Sequence, residues 1–155
     1  MKIPTPGQKV APFTLETTAG PFTLARGGGG GGLVLYFYPR DNTSGCTHEA
    51  ADFRDLHARF RRAGVTILGV SPDTLAAHER FKAKLELPFE LGADTERSLA
   101  QAFGVWKEKS LYGRKVMGIE RSTFLIDAAG RLRQEWRKVK VDGHAAAVLA
   151  AVASL

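Results

Sequence analysis

Cys46 is the only cysteine in the 155-residue chain, and the residues around it are of the kinds that make a thiol reactive. A thiol is a weak nucleophile and a thiolate a strong one, and a free cysteine with a pKa of about 8.5 is mostly protonated at neutral pH. A helix N-terminus corrects this, because its unpaired N–H groups and positive dipole end favour an anion. From Cys46 onward, Ala50, Phe53, Leu56 and Phe60 recur at three- or four-residue spacing, with Arg54, Asp55, Arg59 and Arg62 on the other side. That spacing predicts an amphipathic helix, and Gly64 is a suitable stop. Thr43 reads as its N-cap, with Ser44, Gly45 and Cys46 as the first helical residues and the Thr43 hydroxyl within reach of the sulfur. Gly45 removes a side chain beside the thiol, and Pro39 supplies a rigid wall without a donor. Such a pocket suits a small polar molecule meeting a thiolate. Position alone leaves the alternative open, since free cysteines are often buried and inert.

The elements that must position this thiol follow from the hydrophobic pattern. Residues 13–16 and 21–24 flank Thr17-Thr18-Ala19-Gly20 and read as a hairpin. Six glycines, Gly27 to Gly32, read as a flexible loop, with neither the lysine nor the following helix of a phosphate-binding loop. LVLYFY (33–38) and VTILGV (65–70) are continuous apolar runs, expected of central strands buried on both faces. A helix is predicted from Thr74 to Leu85, a short strand at 88–92, and a helix capped by Asp94 and ended by Gly104. Residues 105–118 read as a long loop, 122–127 and 131–136 as a hairpin around Gly130, and 144–155 as a closing helix. The order predicts an α/β fold, a mixed central sheet with helices on both faces and an N-terminal β-hairpin, spanning 1–155 as one domain. Cys46 then lies at the carboxyl end of the first central strand, where ligands bind in such folds.

Composition narrows the function classes. The formal net charge is +6, but the cations are scattered, with no basic stripe and no nucleic-acid-binding motif, so no nucleic-acid partner is expected. No stretch approaches the ~20 apolar residues of a membrane helix. The N-terminus lacks a signal-peptide core. These features, with a single cysteine, favour a cytoplasmic protein that does not engage a membrane. The four histidines, His48, His57, His78 and His144, show no metal-ligand spacing and read as surface or helix-face residues. No haem or flavin motif is visible, so neither a metal nor a cofactor is expected. Glu49, not cysteine, stands three residues after Cys46, which excludes dithiol exchange.

The stretch Pro39-Arg40-Asp41-Asn42-Thr43-Ser44-Gly45-Cys46 resembles the peroxidatic motif of peroxiredoxins, Pro-x-x-x-Thr/Ser-x-x-Cys. The wider string LYFYPRDNTSGCTHEAADFRDL is similar to the bacterioferritin-comigratory-protein, or peroxiredoxin Q, subfamily. GVSPD (69–73), LPFELGAD (87–94), AFGVW (102–106) and GIERSTFLIDAAG (118–130) extend the resemblance over roughly residues 5 to 150. It implies a thioredoxin-like fold and a bacterial, antioxidant peroxidase. It assigns Cys46 as the thiolate that attacks peroxide and becomes a sulfenic acid. Thr43 becomes the hydroxyl that bonds peroxide and sulfur, and Pro39 the shield. Arg121 matches the family's arginine, a permanent cation able to stabilise a thiolate and the leaving oxygen. Glu49 matches an acidic position that pairs with an arginine, or is simply a carboxylate near a helix start.

Many members of this subfamily carry a resolving cysteine five residues after the first, or around residues 80–85. Here those places hold Ala51 and Arg80-Phe81-Lys82-Ala83-Lys84-Leu85. The resemblance therefore implies a one-cysteine enzyme, a monomer, reducing hydrogen peroxide or alkyl hydroperoxides. An external thiol such as thioredoxin, glutaredoxin or glutathione must then regenerate it. The rival is a redox-sensing binding or chaperone protein switched once by Cys46 oxidation. Turnover with excess thiol separates the two.

Overall fold

A computed structural model describes residues 3–24 and 31–155. Among them, seven strands form one mixed sheet in the order β2-β1-β5-β4-β3-β8-β9. The strands are β1 (Phe13–Thr17), β2 (Gly20–Leu24), β3 (Gly32–Phe37), β4 (Val65–Ser71), β5 (Glu90–Ala93), β8 (Ser122–Ile126) and β9 (Leu132–Trp136). The helices are α1 (Ser44–Arg62), α2 (Leu75–Leu85), α3 (Ser98–Ala102) and α4 (His144–Val152). β3 runs parallel to β4 and antiparallel to β8, so it lies inside the sheet, and all six of its residues are buried. This is the outcome expected of an uninterrupted apolar run.

The two-residue period of a strand divides β3 between two cores. Val34 and Tyr36, with Tyr38 just beyond the strand, pack with Ala50, Phe53 and Phe60 of α1, Phe81 of α2 and Val148 of α4. Leu33, Leu35 and Phe37 pack on the opposite face with Leu99 and Ala100 of α3 and with Phe103. Helices therefore cover both faces. Phe53 is completely buried and stacks on Tyr36 with ring centroids 4.8 Å apart. Burial of such a side chain contributes about 1.5–3 kcal/mol, and it fastens α1 over the end of β3.

Several elements differ from the sequence reading. Residues 106–119 are a second hairpin rather than a loop: β6 (Trp106–Leu111) pairs antiparallel with β7 (Arg114–Ile119). Its turn is Tyr112-Gly113, with φ of 51° and 76°, the left-handed backbone that a two-residue hairpin turn demands. Most of its residues are exposed, so no apolar alternation marks it. The short strand starts at Glu90, two residues later than expected. Asp94 does cap α3, its carboxylate accepting from the N–H groups of Leu99 and Ala100 at 3.1 and 2.8 Å, although Arg97 occupies the N-cap position. The flexible-loop reading at 27–30 lies outside the described residues. Gly31 is required by close approach, since a Cβ there would meet the Gly64 carbonyl oxygen at 1.9 Å.

Candidate active site

The chain leaves β3 at Phe37, turns through Pro39 to Thr43, and enters α1 at Ser44. Pro39 is half-buried at the start of this turn. Cys46 is in the first turn of α1 and only 2% exposed. Thr43 occupies the N-cap, as expected, but its hydroxyl donates to the Arg40 carbonyl at 2.9 Å and does not cap the helix. The predicted reach of that hydroxyl toward sulfur is replaced by a bond inside the loop. The N–H groups of the first turn consequently have no side-chain partner at the N-cap, and no acidic residue stands in that turn. They remain free to meet an anion.

Arg121 arrives from the neighbouring strand, from the turn joining β7 to β8, where Ser122 pairs with Phe37. Its Nη2 donates to Cys46 Sγ at 3.3 Å, and its Nη1 to Glu49 Oε1 at 2.6 Å. One guanidinium thus bridges a sulfur and a carboxylate on successive turns of α1, a use of the planar fork that an ammonium would not reproduce. The structure also gives Gly45 a reason beyond substrate access. A Cβ at this position would lie 3.1 Å from Arg121 Nη2. Gly45 makes room for the arginine.

Glu49 is 1% exposed, and its Oε2 has no hydrogen-bond partner among the described residues. Burial pushes its carboxyl up to about 7, against the opposing pull of Arg121. Burial alone would lower the Arg121 guanidinium, but the charges of Glu49 and Cys46 more than offset it and the net shift is upward. Sequence reading weighs Glu49 evenly between this pairing and a plain helix-start carboxylate, and the 2.6 Å bond decides for the pairing. Lys109, on β6, escapes sequence reading because its segment has the look of a loop. Its ammonium donates to the Ile119 carbonyl and is held below the usual lysine range, chiefly by burial and then by the Arg121 charge. It therefore lies within electrostatic range of the thiol site.

Of the histidines read as surface or helix-face residues, His78 and His144 lie on helices and are buried, 0% and 6% exposed. His144 pairs through Nε2 with the Thr123 hydroxyl at 2.8 Å, and burial followed by the Arg121 charge lowers its pKa to about 4. His78 belongs to a network with Asp41 and Asp73. Their ligand-type atoms lie within 4.8 Å of one another, but His78 uses both ring nitrogens on Asp41 and Gly92, and Asp73 Oδ2 is engaged by Ser71 and the Asp41 N–H. A cavity of about 1030 Å³ opens elsewhere, against Phe13, Leu99 and Phe103, and none of Pro39, Thr43, Cys46 or Arg121 lines it. Of those four residues, the structure joins Cys46 and Arg121 directly, and places Thr43 and Pro39 on the loop that delivers the helix.

Comparison with known proteins identifies the family. Residues 6–135 match the family described as AhpC/TSA. The Bacillus subtilis protein "Peroxiredoxin Bcp" is 52% identical over 143 residues, 92% of this chain and 91% of that protein. The crystal structure of a cysteine-to-serine mutant of Xylella fastidiosa PrxQ superposes with a TM-score of 0.91 at 38% identity, covering 99% of this chain and 98% of that one. The Xanthomonas campestris bacterioferritin comigratory protein, whose structure was solved for insight into its alkyl peroxide reduction activity, has a TM-score of 0.86. It is 48% identical, with coverage of 92% and 90%. The chain belongs to the AhpC/TSA family and, within it, to the Bcp/peroxiredoxin Q peroxiredoxins, with a thioredoxin-like fold and a thiol-dependent peroxidase activity.

Proposed function

We propose that Cys46 is the peroxide-attacking thiol, working as a one-cysteine centre with Arg121, Thr43 and Pro39. The 3.3 Å contact between Arg121 Nη2 and the sulfur carries this reading, because it puts a fixed cation where negative charge must first gather. The Cys46 thiolate attacks one peroxide oxygen. An S–O bond forms as the O–O bond breaks, sulfur is oxidised to the sulfenic acid, and the departing oxygen leaves as hydroxide or alkoxide and takes a proton. Arg121 and the free N–H groups of the α1 first turn stabilise that departing charge. The Thr43 hydroxyl spends its proton on the Arg40 carbonyl, and its lone pairs can accept from a protonated peroxide oxygen. Pro39 limits access without competing for hydrogen bonds.

Regeneration uses an external thiol, because the chain has one cysteine. A first thiol displaces water from the sulfenic acid to give a mixed disulfide, and a second releases the Cys46 thiol. Thioredoxin, glutaredoxin and glutathione are the candidate donors. Hydrogen peroxide and alkyl hydroperoxides are the substrates, the latter favoured by the activity described for the Xanthomonas relative. The chain acts as a single-domain monomer in the cytoplasm, where a lone thiol stays reduced.

The experiment is peroxide consumption with excess dithiothreitol, wild type beside Cys46→Ser, with sulfenic acid trapped and weighed by mass spectrometry. Sustained turnover that the variant abolishes, with an adduct on Cys46, supports the reading. One oxidation per chain without turnover contradicts it and favours a sensor.

A further inference from the structure

The loop from Pro39 to Thr43 is gripped from outside, by α2 and the turn before it, and Asp41 is the residue gripped. Asp41 is 9% exposed. Its Oδ1 accepts from the Tyr38 hydroxyl at 2.5 Å, and its Oδ2 lies 2.7 Å from His78 Nδ1. Its backbone N–H donates to the Asp73 carboxylate at 2.8 Å, and that carboxylate accepts in turn from the Ser71 hydroxyl at 2.5 Å. His78 is fully buried on α2, and its Nε2 lies 2.9 Å from the Gly92 carbonyl of β5. A carbonyl only accepts, so Nε2 donates. The bond to Asp41 contains one further proton, whichever partner holds it. His78 is thus a strut from the sheet to the loop, ending two residues before Thr43.

Burying a carboxylate and an imidazole costs desolvation energy that apolar side chains of similar size would avoid. Hydrogen bonds give direction in return, which packing alone does not. The loop needs direction, since its Thr43 hydroxyl and Cys46 must meet one small peroxide. We propose that His78 is a positioning residue for the peroxide reaction, setting through Asp41 the loop that presents Thr43 beside the Cys46 thiol. This rests on Cys46 being the attacking thiol.

The test separates the two ends of the strut. An Asn amide places its N–H near the position of Nδ1, and a Gln amide near that of Nε2. His78→Asn keeps the donor to Asp41 and gives up Gly92, and His78→Gln does the reverse. Stopped flow measures oxidation of reduced protein by hydrogen peroxide, and a second mixing measures reduction of the sulfenic acid by dithiothreitol. His78→Gln slows oxidation by on the order of tenfold, the scale of a small misplacement of reacting groups. His78→Asn restores the rate to within a few-fold, and neither variant slows the reductive step. Tyr38→Phe, which deletes the other side-chain donor to Asp41 together with a 3.4 Å contact to His78 Nδ1, slows oxidation in the same direction and decides the matter if His78→Gln does not fold. Equal losses in the Asn and Gln variants, a slowed reductive step in either, or wild-type oxidation in either His78→Gln or Tyr38→Phe, would overturn the strut. A wild type no faster than free cysteine overturns the reading of Cys46, and the strut with it.

Discussion

The start of α1 and the loop before it are adjacent in sequence and opposite in construction. At the helix start, polar groups are left short of partners. The N-cap side chain does not cap, Glu49 Oε2 is unpaired among the described residues, and Arg121 is shared between a sulfur and a carboxylate. In the loop, Asp41 has both carboxylate oxygens and its N–H bonded, and Asn42, in a left-handed conformation, accepts from Lys84 at 2.6 Å. Free valences are kept where the proposed reaction needs its substrate, and the segment that aims them is over-determined. Under-satisfied groups are costly when buried, so they persist only where neighbouring structure holds them.

The largest expected effect comes from emptying the under-satisfied side. Arg121→Gln lowers the rate of Cys46 oxidation roughly a hundredfold or more, the scale on which a transition-state donor is removed. A second-order rate constant from stopped flow checks it, and a wild-type value would dissolve the contrast between the two regions. A subtler change crowds the same group. Gly45→Ala puts a methyl against Nη2 and, by displacing it from sulfur, slows oxidation by on the order of tenfold while leaving the helix intact. Unchanged circular dichroism with a reduced rate is the expected pair of readings.

The third prediction concerns pH. Glu49 has its folded pKa raised to about 7 from an ordinary 4.5. Its contribution to stability is therefore fully present below about pH 4.5 and lost as pH rises through about 7. Glu49→Gln removes that loss, so its urea midpoint gains on the wild type between about pH 5 and pH 8. A constant difference across that range would mean that Glu49 ionises normally in the fold. The smallest effect belongs to Tyr36, whose buried hydroxyl has no partner among the described residues. Tyr36→Phe keeps the stack on Phe53 and shifts unfolding stability by no more than about 1 kcal/mol, in the stabilising direction. The matched deletion at Tyr38 removes a bonded hydroxyl and destabilises.

Legibility in the sequence follows the same division. The buried strands are readable as continuous apolar runs and α1 from its three- and four-residue apolar repeat, and the Pro39–Cys46 string carries the site through its resemblance. The β6–β7 hairpin is not readable. Its faces are exposed and charged, and its turn uses Tyr112 where asparagine or glycine would have signalled one. His78 looks like any helix-face histidine, although its position three residues before the buried Phe81 is a signal that it faces inward. The direction of the Thr43 hydroxyl and the space Gly45 leaves for Arg121 depend on contacts made across the fold, 75 residues apart for Cys46 and Arg121, and no local pattern encodes them.

The most direct test of the central claim is the rate at which reduced protein reacts with equimolar hydrogen peroxide, followed by tryptophan fluorescence beside Cys46→Ser and Arg121→Gln. A wild-type rate far above that of a free thiol, absent in the first variant and cut at least about a hundredfold in the second, is the predicted result. A wild-type rate equal to that of free cysteine, or one that survives loss of Arg121, would contradict the account.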